Sequence, residues 1–461
     1  MTSEAPRGTT PGGSRPRSAR SRLFLDLSPL RVDREYRKLW VGQVISVMGN
    51  QVTRIALPYQ VYVLTGHQPL AIAILTAAQL LPILVLSLAA GSIADAFDRR
   101  RVLMGTQVGL ALTNVCLIIL SLQPDPPVWL IYALAAVIGA LLSLDWPARL
   151  AAVPRLVPRE RLPAAIALTQ LSQNTSAIVG PALGGIIIAW VGPTGAFATD
   201  LAAFGISIWA LIALAPIPPL HQTLAPGLTA IKEGITFVRS KKVILGAFAV
   251  DLDAMVFGRP VGLFPVLALD VFHVGAAGLG LLSAAPAVGA FIGALLSGSL
   301  SSIQRVGRAV VLSVIAWGAM VTFFGLSSFS FQLALVLLAL SGAADVLSTM
   351  LRWTIVQTET PDQLRGRVTS ISNMTVTSGP RLGDIRAATV ATVLGPEGAV
   401  VTGGLMCVAG AILVTRAFPA LWRHSVHLRK QESDDPADHP RAEAPADPAN
   451  AADQPADDTG Q

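Results

Sequence analysis

This chain is poor in the residues on which soluble enzymes and metalloproteins depend. Charged residues make up 13% of its 461 residues, against about 25% in soluble domains. Its two cysteines, Cys116 and Cys407, and its scattered histidines predict neither a disulfide framework nor a metal site. None of the few lysines follows a glycine, so there is no nucleotide-binding P-loop and no ATP hydrolysis is expected. No nucleophile is paired with a base, so we expect no enzyme, no catalytic residue and no cofactor.

Apolar residues are correspondingly abundant. They form 52% of the chain, and the mean hydropathy is +0.59. A helix that spans a bilayer needs roughly 20 predominantly apolar residues, and about twelve such runs lie between Trp40 and Pro419. The first run begins near residue 38 and is long, which indicates a spanning helix rather than a cleaved signal peptide. The sequence therefore predicts an all-α membrane protein with twelve transmembrane helices.

The basic residues are segregated along the chain. Thirty of the thirty-four Lys and Arg residues fall in seven short stretches, which the hydrophobic runs separate in pairs. The turns between these stretches, such as TGHQP, VGPTG and GPEG, contain no Lys or Arg. Because basic residues collect on the cytoplasmic side of membrane proteins, we predict a multi-pass protein of the bacterial plasma membrane with both termini in the cytoplasm. The net charge of +6 then reflects topology, and no nucleic acid partner is expected.

Five features recur in the same order about 200 residues apart. They are Arg54 and Arg259, Pro82 and Pro286, Gly91-Ser92 and Gly298-Ser299, Asp145 and Asp345, and Gly180-Pro181-x-x-Gly184 and Gly379-Pro380-x-x-Gly383. This duplication predicts two pseudo-symmetric six-helix bundles, as in transporters whose halves rock around a central site. The predicted organisation is a disordered basic tail (1–35), a first bundle (36–216), a cytoplasmic linker with an amphipathic helix (217–242), a second bundle (243–422) and a disordered acidic tail (423–461).

A glycine, an aspartate and two arginines mark the first turn on the basic side. They are Gly91, Asp95, Arg99 and Arg100. Glycine allows two helices to approach closely, and the aspartate lies near arginines that can pair with it. We interpret the set as a conformational loop motif. An ordinary inner turn with positive-inside charges is the alternative, and the second copy has Ser302 where Asp95 would fall.

A second motif lies in the fifth span. It consists of Gly180, Pro181, Gly184 and Gly185. Proline removes a backbone donor and permits a bend, while the glycines allow tight helix packing. A purely structural packing kink explains the same residues equally well.

The two motifs resemble the loop signature and the antiporter motif of the major facilitator superfamily, although Ser176 stands where the antiporter motif has an upstream glycine. The resemblance covers residues 36–420 and implies the major facilitator fold. Further stretches resemble the branch of the enterobactin exporter and the multidrug efflux proteins of actinobacteria. They are Pro147-Ala148-Arg149, Asp251 to Pro260, Pro361 to Arg367 and Gly379 to Asp384. That branch often has an acidic residue in the first span, where this chain has Asn50.

Four arginines lie inside the predicted spans: Arg54, Arg259, Arg381 and Arg386. A charge at the centre of a membrane helix costs about 2.5–3.5 kcal/mol, so these side chains should face a watery cavity or an acidic partner. The predicted substrate cavity or ion pathway comprises Asn50, Gln51, Arg54, Asp251, Asp253, Arg259, Arg381 and Asp384. Asp251 and Asp253 are the first candidates for proton coupling and Asp384 is the next. A structural pair of Arg381 with Asp384 is the alternative.

Together these features predict a monomeric secondary active transporter. Its partners would be a small organic compound such as a drug or a siderophore, protons and the lipid bilayer. The antiporter-like motif and the branch resemblance favour proton-coupled export by alternating access. An importer or symporter on the same fold is one alternative, and a membrane sensor or scaffold that does not transport is another, because fold does not determine function.

Overall fold

The computed structural model describes residues 26–217, 228–298 and 303–425, and within these ranges the side chains of residues 87–96 and 228–232 lie outside the description. Every regular element in these ranges is helical, which confirms the all-α class. The helices are α1 (Ser28–Val32), α2 (Arg34–Leu64), α3 (Pro69–Ala96), α4 (Arg99–Ser121), α5 (Val128–Leu156), α6 (Leu162–Ile212), α7 (Leu228–Ser240), α8 (Lys242–Phe257), α9 (Phe264–Val266), α10 (Gly275–Leu296), α11 (Val306–Gly325), α12 (Phe331–Glu359), α13 (Asp362–Ala417) and α14 (Pro419–Arg423).

Nine helical segments in the described part of the chain are long and apolar enough to cross a membrane. Two of these segments, which contain α6 and α13, are more than 50 residues long and each joins two helices across a kink. Helix α2 is not among the nine, because Asn50, Gln51 and Arg54 make its middle polar. The twelve predicted spans correspond to these segments when each long one is counted as two crossings and α2 is added.

The first part of α6 runs in the same direction as α2. Near the start of both helices, the Tyr36 hydroxyl donates to the carbonyl oxygen of Ala165 at 2.9 Å. Further along both helices, Gly184 packs against the backbone of Val52. The contacts advance together, so the two helices are parallel.

The second part of α6 runs back along the other side of α2. The Lys38 ammonium donates to the carbonyl oxygen of Ala213 at 2.6 Å. The Thr53 hydroxyl, deeper in α2, donates to the Asp200 carboxylate at 2.6 Å, and so to an earlier residue of α6. The chain therefore reverses inside α6, and it does so at Gly192, where φ is 75° and ψ is −177°.

The second half of the chain repeats this reversal. Gly395 inside α13 has φ 72° and ψ 168°. Beyond it, Gly410 packs against Asp253 of α8, and Phe418 packs against the earlier residue Gly246. The last part of α13 is therefore antiparallel to α8, as the last part of α6 is to α2. In both halves the reversal is a Gly-Pro step, and the two steps lie about 200 residues apart.

These reversals divide the molecule into two ends. We call the end that carries Lys38, Arg100 and Ala213 the basic side, and the end that carries Gly192 and Gly395 the turn side. Between them, large apolar side chains point outward: Leu112 is 62% exposed and Leu405 is 54% exposed. A surface of this kind suits contact with lipid.

The structure revises the predicted boundaries at the N-terminus. Helix α1 and the first two residues of α2 lie within the stretch 1–35 that was expected to be disordered. Pro29 and the following Tyr36 are buried and hold this segment against the bundle. Helix α7 occupies the linker in which an amphipathic helix was predicted. Residues 1–25 and 426–461, which contain most of both predicted tails, lie outside the described residues.

The two reversals generate a test of stability. The backbone conformation at Gly192 and Gly395 is essentially restricted to glycine, and an L side chain there costs about 1–3 kcal/mol. We expect Gly192→Ala and Gly395→Ala each to lower the free energy of unfolding in detergent micelles by that amount. The matched control is Gly205→Ala, a helical glycine with open space around it, for which no loss is expected. Equal stability of all three variants would contradict a strained reversal.

Candidate functional site

A cavity of about 890 Å³ lies between the two halves of the chain. Its wall combines residues of α2, α3, α5 and α6 with residues of α10, α12 and α13 and of the segment after α8. Six of the eight residues predicted to form a cavity or ion pathway line it: Asn50, Gln51, Arg54, Arg259, Arg381 and Asp384. Since they come from both halves, a ligand here would contact both.

The helix that carries Arg259 is broken at the cavity. Helix α8 ends at Phe257, and a short 3-10 turn, Val261–Leu263, begins after Pro260. Proline has no backbone N–H and disfavours a helical residue before it. The Asp384 carboxylate accepts a hydrogen bond from the Gly262 backbone N–H at 2.7 Å. Broken spanning helices are typical of transporter binding sites, where their free backbone groups meet charged ligands or side chains.

Two of the three cavity arginines donate to neutral groups. Arg54 donates to the Gln51 side-chain oxygen at 3.5 Å, which is long for a hydrogen bond. Arg381 donates to the backbone carbonyl of Thr377 at 2.9 Å. Among the described side chains, no carboxylate oxygen lies within 4.0 Å of the guanidinium nitrogens of these two arginines or of Arg259. Three arginines share this wall with two carboxylates, Asp384 and Asp345, so the cavity lining carries an excess of positive charge.

Asp251 does not line the cavity, which corrects the predicted placement. Its carboxylate pairs with the Arg352 guanidinium at 2.6 Å, and both side chains are buried. Arg352 also donates to the hydroxyls of Ser348 at 3.0 Å and Thr349 at 3.2 Å. Sequence reasoning assigned Arg352 to the basic side, because it lies near the end of an apolar run. Its spacing of four residues from Ser348 places the two side chains on one face of the helix, and this spacing could have indicated a buried hydrogen bond.

Asp253 does not line the cavity either. It is two residues from Asp251 on α8, so the two side chains point about 160° apart around the helix. Its carboxylate lies against Gly410 of α13, away from the cavity. Asp345, which the duplication pairs with Asp145 but which was not among the predicted cavity residues, lines the cavity from α12 and accepts from the Thr349 hydroxyl at 3.3 Å.

The antiporter-like motif places α6 against two neighbours. Gly180 faces Gln51 of α2, and Gly184 faces Val52 of the same helix. Gly185 faces the other half of the chain: a Cβ atom on it would lie 2.6 Å from the carbonyl oxygen of Ala276 and 2.7 Å from the Cα of Gly280 on α10. Pro181 lines the cavity beside them. The motif thus brings the two halves into backbone contact near the turn side.

The conformational loop motif is described in part. Arg100 donates to the carbonyl oxygens of Leu211 at 2.8 Å and Ile212 at 2.7 Å, which satisfies the end of α6. Arg99 is buried, and its backbone N–H donates to the carbonyl oxygen of Ile217 at 3.2 Å. The surroundings of Gly91 and the side chain of Asp95 lie outside the description. The described contacts of this motif join α4 to the end of α6 within the first half.

A polar contact closes the turn side between the halves. The Tyr62 hydroxyl, at the end of α2, donates to the Asp270 carboxylate of the second half. The Nδ1 atom of His67 lies 2.7 Å from the other carboxylate oxygen of Asp270. Within the described side chains, the hydrogen bonds that we find between the halves lie here. The cavity, in contrast, reaches Ala294, two residues before α10 ends on the basic side.

This architecture, with two halves around a polar cavity in a helical membrane protein, is that of a transporter. The chain matches the family of transmembrane secretion effectors over residues 25–448, and it belongs to this family of the major facilitator superfamily. It is 30% identical over 390 residues to the enterobactin exporter EntS of Citrobacter koseri, with 83% of this chain and 90% of that protein covered. It is also 30% identical to EntS of Shigella flexneri, with 82% and 88% covered.

Solved transporter structures share the fold at low sequence identity. A bacterial homologue of the iron transporter ferroportin, solved in an inward-facing state, matches with a TM-score of 0.64 and 16% identity, over 85% of this chain and 100% of that one. The nucleoside transporter NupG matches with a TM-score of 0.65 and 12% identity, over 84% and 99%. At these identities the similarity establishes the fold alone. The predicted major facilitator fold is confirmed.

The contact at Gly185 predicts a conformational effect. A valine there cannot fit against Ala276 and Gly280, so we expect Gly185→Val to separate the halves on the turn side. Spin labels at Val191 and Phe329, which are both exposed, would report this as a longer distance by electron paramagnetic resonance, in a background without Cys116 and Cys407. Gly205→Val is the control, since no atom lies near a side chain there. An unchanged distance in Gly185→Val would show that this contact does not hold the turn side closed.

Proposed function

We propose that the protein is a proton-coupled exporter of a small organic compound and works by alternating access as a monomer. The observation that carries this proposal is the polar cavity shared by the two halves. Its volume of about 890 Å³ lies within the range of about 300–1,000 Å³ that small-molecule sites occupy. The similarity to the enterobactin exporters supports export of a siderophore-like compound.

The charge of the cavity supports an anionic or catecholate-like substrate. Pairing of Arg54 or Arg259 with Asp251 or Asp253 would have removed this preference. Asp251 pairs with Arg352 instead, and Asp253 faces Gly410. The cavity arginines thus keep their donors available, and arginine binds planar anionic oxygens in two-point hydrogen bonds.

The arrangement of contacts supports alternating access. The halves touch on the turn side, through Gly185 and Gly280 and through Tyr62 and Asp270. If residues 36–216 and 243–422 act as the two moving bundles, this conformer opens toward the basic side. By the positive-inside rule the basic side is cytoplasmic, so the conformer is the one that loads a compound for export. An ion gradient is the remaining source of energy for a chain without a P-loop, and we assign it to protons.

The test uses inside-out vesicles with an imposed pH gradient and enterobactin as the probe. We expect enterobactin to accumulate in the vesicles and to dissipate the gradient. Loss of a charged hydrogen bond costs about 1.5–3 kcal/mol, so Arg54→Gln and Arg259→Gln should each weaken transport at least about tenfold. Arg386→Gln is the control, because Arg386 stacks on Phe257 and does not line the cavity.

Other outcomes would contradict parts of this proposal. Uptake into right-side-out vesicles alone would indicate an importer. Transport of a cationic dye in preference to enterobactin would reject the anionic substrate class. No flux of either probe in either direction, together with an unchanged pH gradient, would favour a membrane sensor or scaffold.

A further inference from the structure

One buried carboxyl group in the first half has no basic partner. Asp200 lies on the second part of α6, about 12 Å from the reversal at Gly192 by helix rise, and its exposed fraction is 0%. One carboxyl oxygen accepts from the Thr53 hydroxyl at 2.6 Å and from the Asn114 side-chain amide at 3.0 Å. The other oxygen is buried without a hydrogen-bond partner and faces Gly49.

The surroundings of Asp200 are neutral on every helix that packs against it. Helix α2 presents Gly49 and Thr53, and helix α4 presents Asn114. Among the described residues no Lys, Arg or His nitrogen lies within 4.0 Å of its carboxylate. The nearest arginine along α2 is Arg54, which lines the cavity instead.

Two other buried aspartates show how this protein handles a charge. Asp145 pairs with Arg149 at 2.5 Å, and Asp251 pairs with Arg352 at 2.6 Å. A buried ion is tolerated when it is paired and hydrogen-bonded, whereas an isolated buried carboxylate becomes neutral by binding a proton. By this comparison Asp200 holds a proton in this conformer, whereas Asp145 and Asp251 each have an arginine partner.

A single hydroxyl group, that of Thr53, lies between the Asp200 carboxyl group and the cavity and can relay a proton. Thr53 bonds to the Asp200 carboxyl group and also lines the cavity, next to Arg54. Asp253 in the second half also lies against a glycine, Gly410, and one of its oxygens is buried without a partner. No described hydroxyl group links Asp253 to the cavity. Of the two carboxyl groups, Asp200 is therefore the one that can exchange a proton with cavity water.

From this geometry we infer that Asp200 is a proton-binding site that exchanges with the cavity through Thr53 and carries the coupled proton. On release, the carboxyl group turns so that its O–H points to Thr53, and the Thr53 hydroxyl oxygen accepts this proton while it gives its own proton to cavity water. The electron pair of the broken carboxyl O–H bond stays on the carboxylate. An ionised Asp200 needs water at the contact between α2 and α6, so its protonation and the positions of these helices are linked. The coupling role rests on the proposed function, whereas the protonation does not.

The first experiment needs no substrate. Infrared spectra of the full chain in lipid nanodiscs at neutral pH should contain the carbonyl stretch of a protonated carboxyl group that Asp200→Asn removes. Asp251→Asn is the matched control and should remove no such band, because Asp251 is paired with Arg352. An identical band in wild type and Asp200→Asn would overturn the inference.

The second experiment tests the route. In heavy water the Asp200 band should shift as its proton exchanges, and Thr53→Val should slow this shift at least tenfold without removing the band. A merely structural hydrogen bond would leave the exchange rate unchanged, and that result would reject the route. Should Asp200→Asn fail to fold, the exchange rate in Thr53→Val still tests the site.

The third experiment tests the coupling in proteoliposomes with enterobactin. Asp200→Asn should lose accumulation driven by a pH gradient at least tenfold, and it should keep exchange of enterobactin across the membrane without a gradient. Loss of coupling in Asp253→Asn with coupling intact in Asp200→Asn would overturn the assignment. If the wild type moves no substrate, the proposed function fails, while the infrared result decides the proton site separately.

Discussion

An ionised side chain inside a bilayer must meet water or an opposite charge. Of the four arginines in the predicted spans, Arg54, Arg259 and Arg381 follow that requirement, whereas Arg386 lies against the Phe257 ring. Arg149 and Arg352 meet Asp145 and Asp251 within their own halves. The three cavity arginines meet an open cavity between the halves. Since burying an unpaired charge is costly, the two paired arginines are balanced by their aspartates, whereas the three cavity arginines have open space beside them.

Glycine contacts determine where that cavity lies. Gly185 and Gly280 let α6 and α10 meet backbone to backbone near the turn side, and Gly192 lets α6 turn back along α2. A side chain at Gly185 or Gly280 would push two helices apart, whereas one at Gly192 would strain the backbone at the reversal. These small residues close the interface between the halves on the turn side. The cavity, which Pro181 lines, extends from there toward the basic side. The glycine contacts of α6 therefore determine both the packing of the helices and the position of the cavity.

Part of the site could be predicted because depth in the membrane follows from residue number. Arg54 and Arg259 interrupt apolar runs at matching depths, and the structure places both on the cavity wall. Asp251 and Asp253 lie at a similar depth, yet neither reaches the cavity. Successive residues turn by about 100° around a helix, so depth alone does not tell which neighbour a side chain meets. Arg352 was missed for the same reason, because its depth suggested the basic side.

The sequence by itself determined the helical class, the approximate spans, the segregation of basic residues to one side and the duplication. These features depend on the pattern of hydropathy and charge along the chain, which follows directly from the order of the residues. Only the tertiary structure decided which arginines are paired and that the Asp384 carboxylate accepts from Gly262 in the broken helix. It also decided that Asp200 of α6 is buried against α2 with no basic partner among the described residues. Those outcomes depend on how each helix is rotated against its neighbours, and rotation is set by packing between residues far apart in the chain.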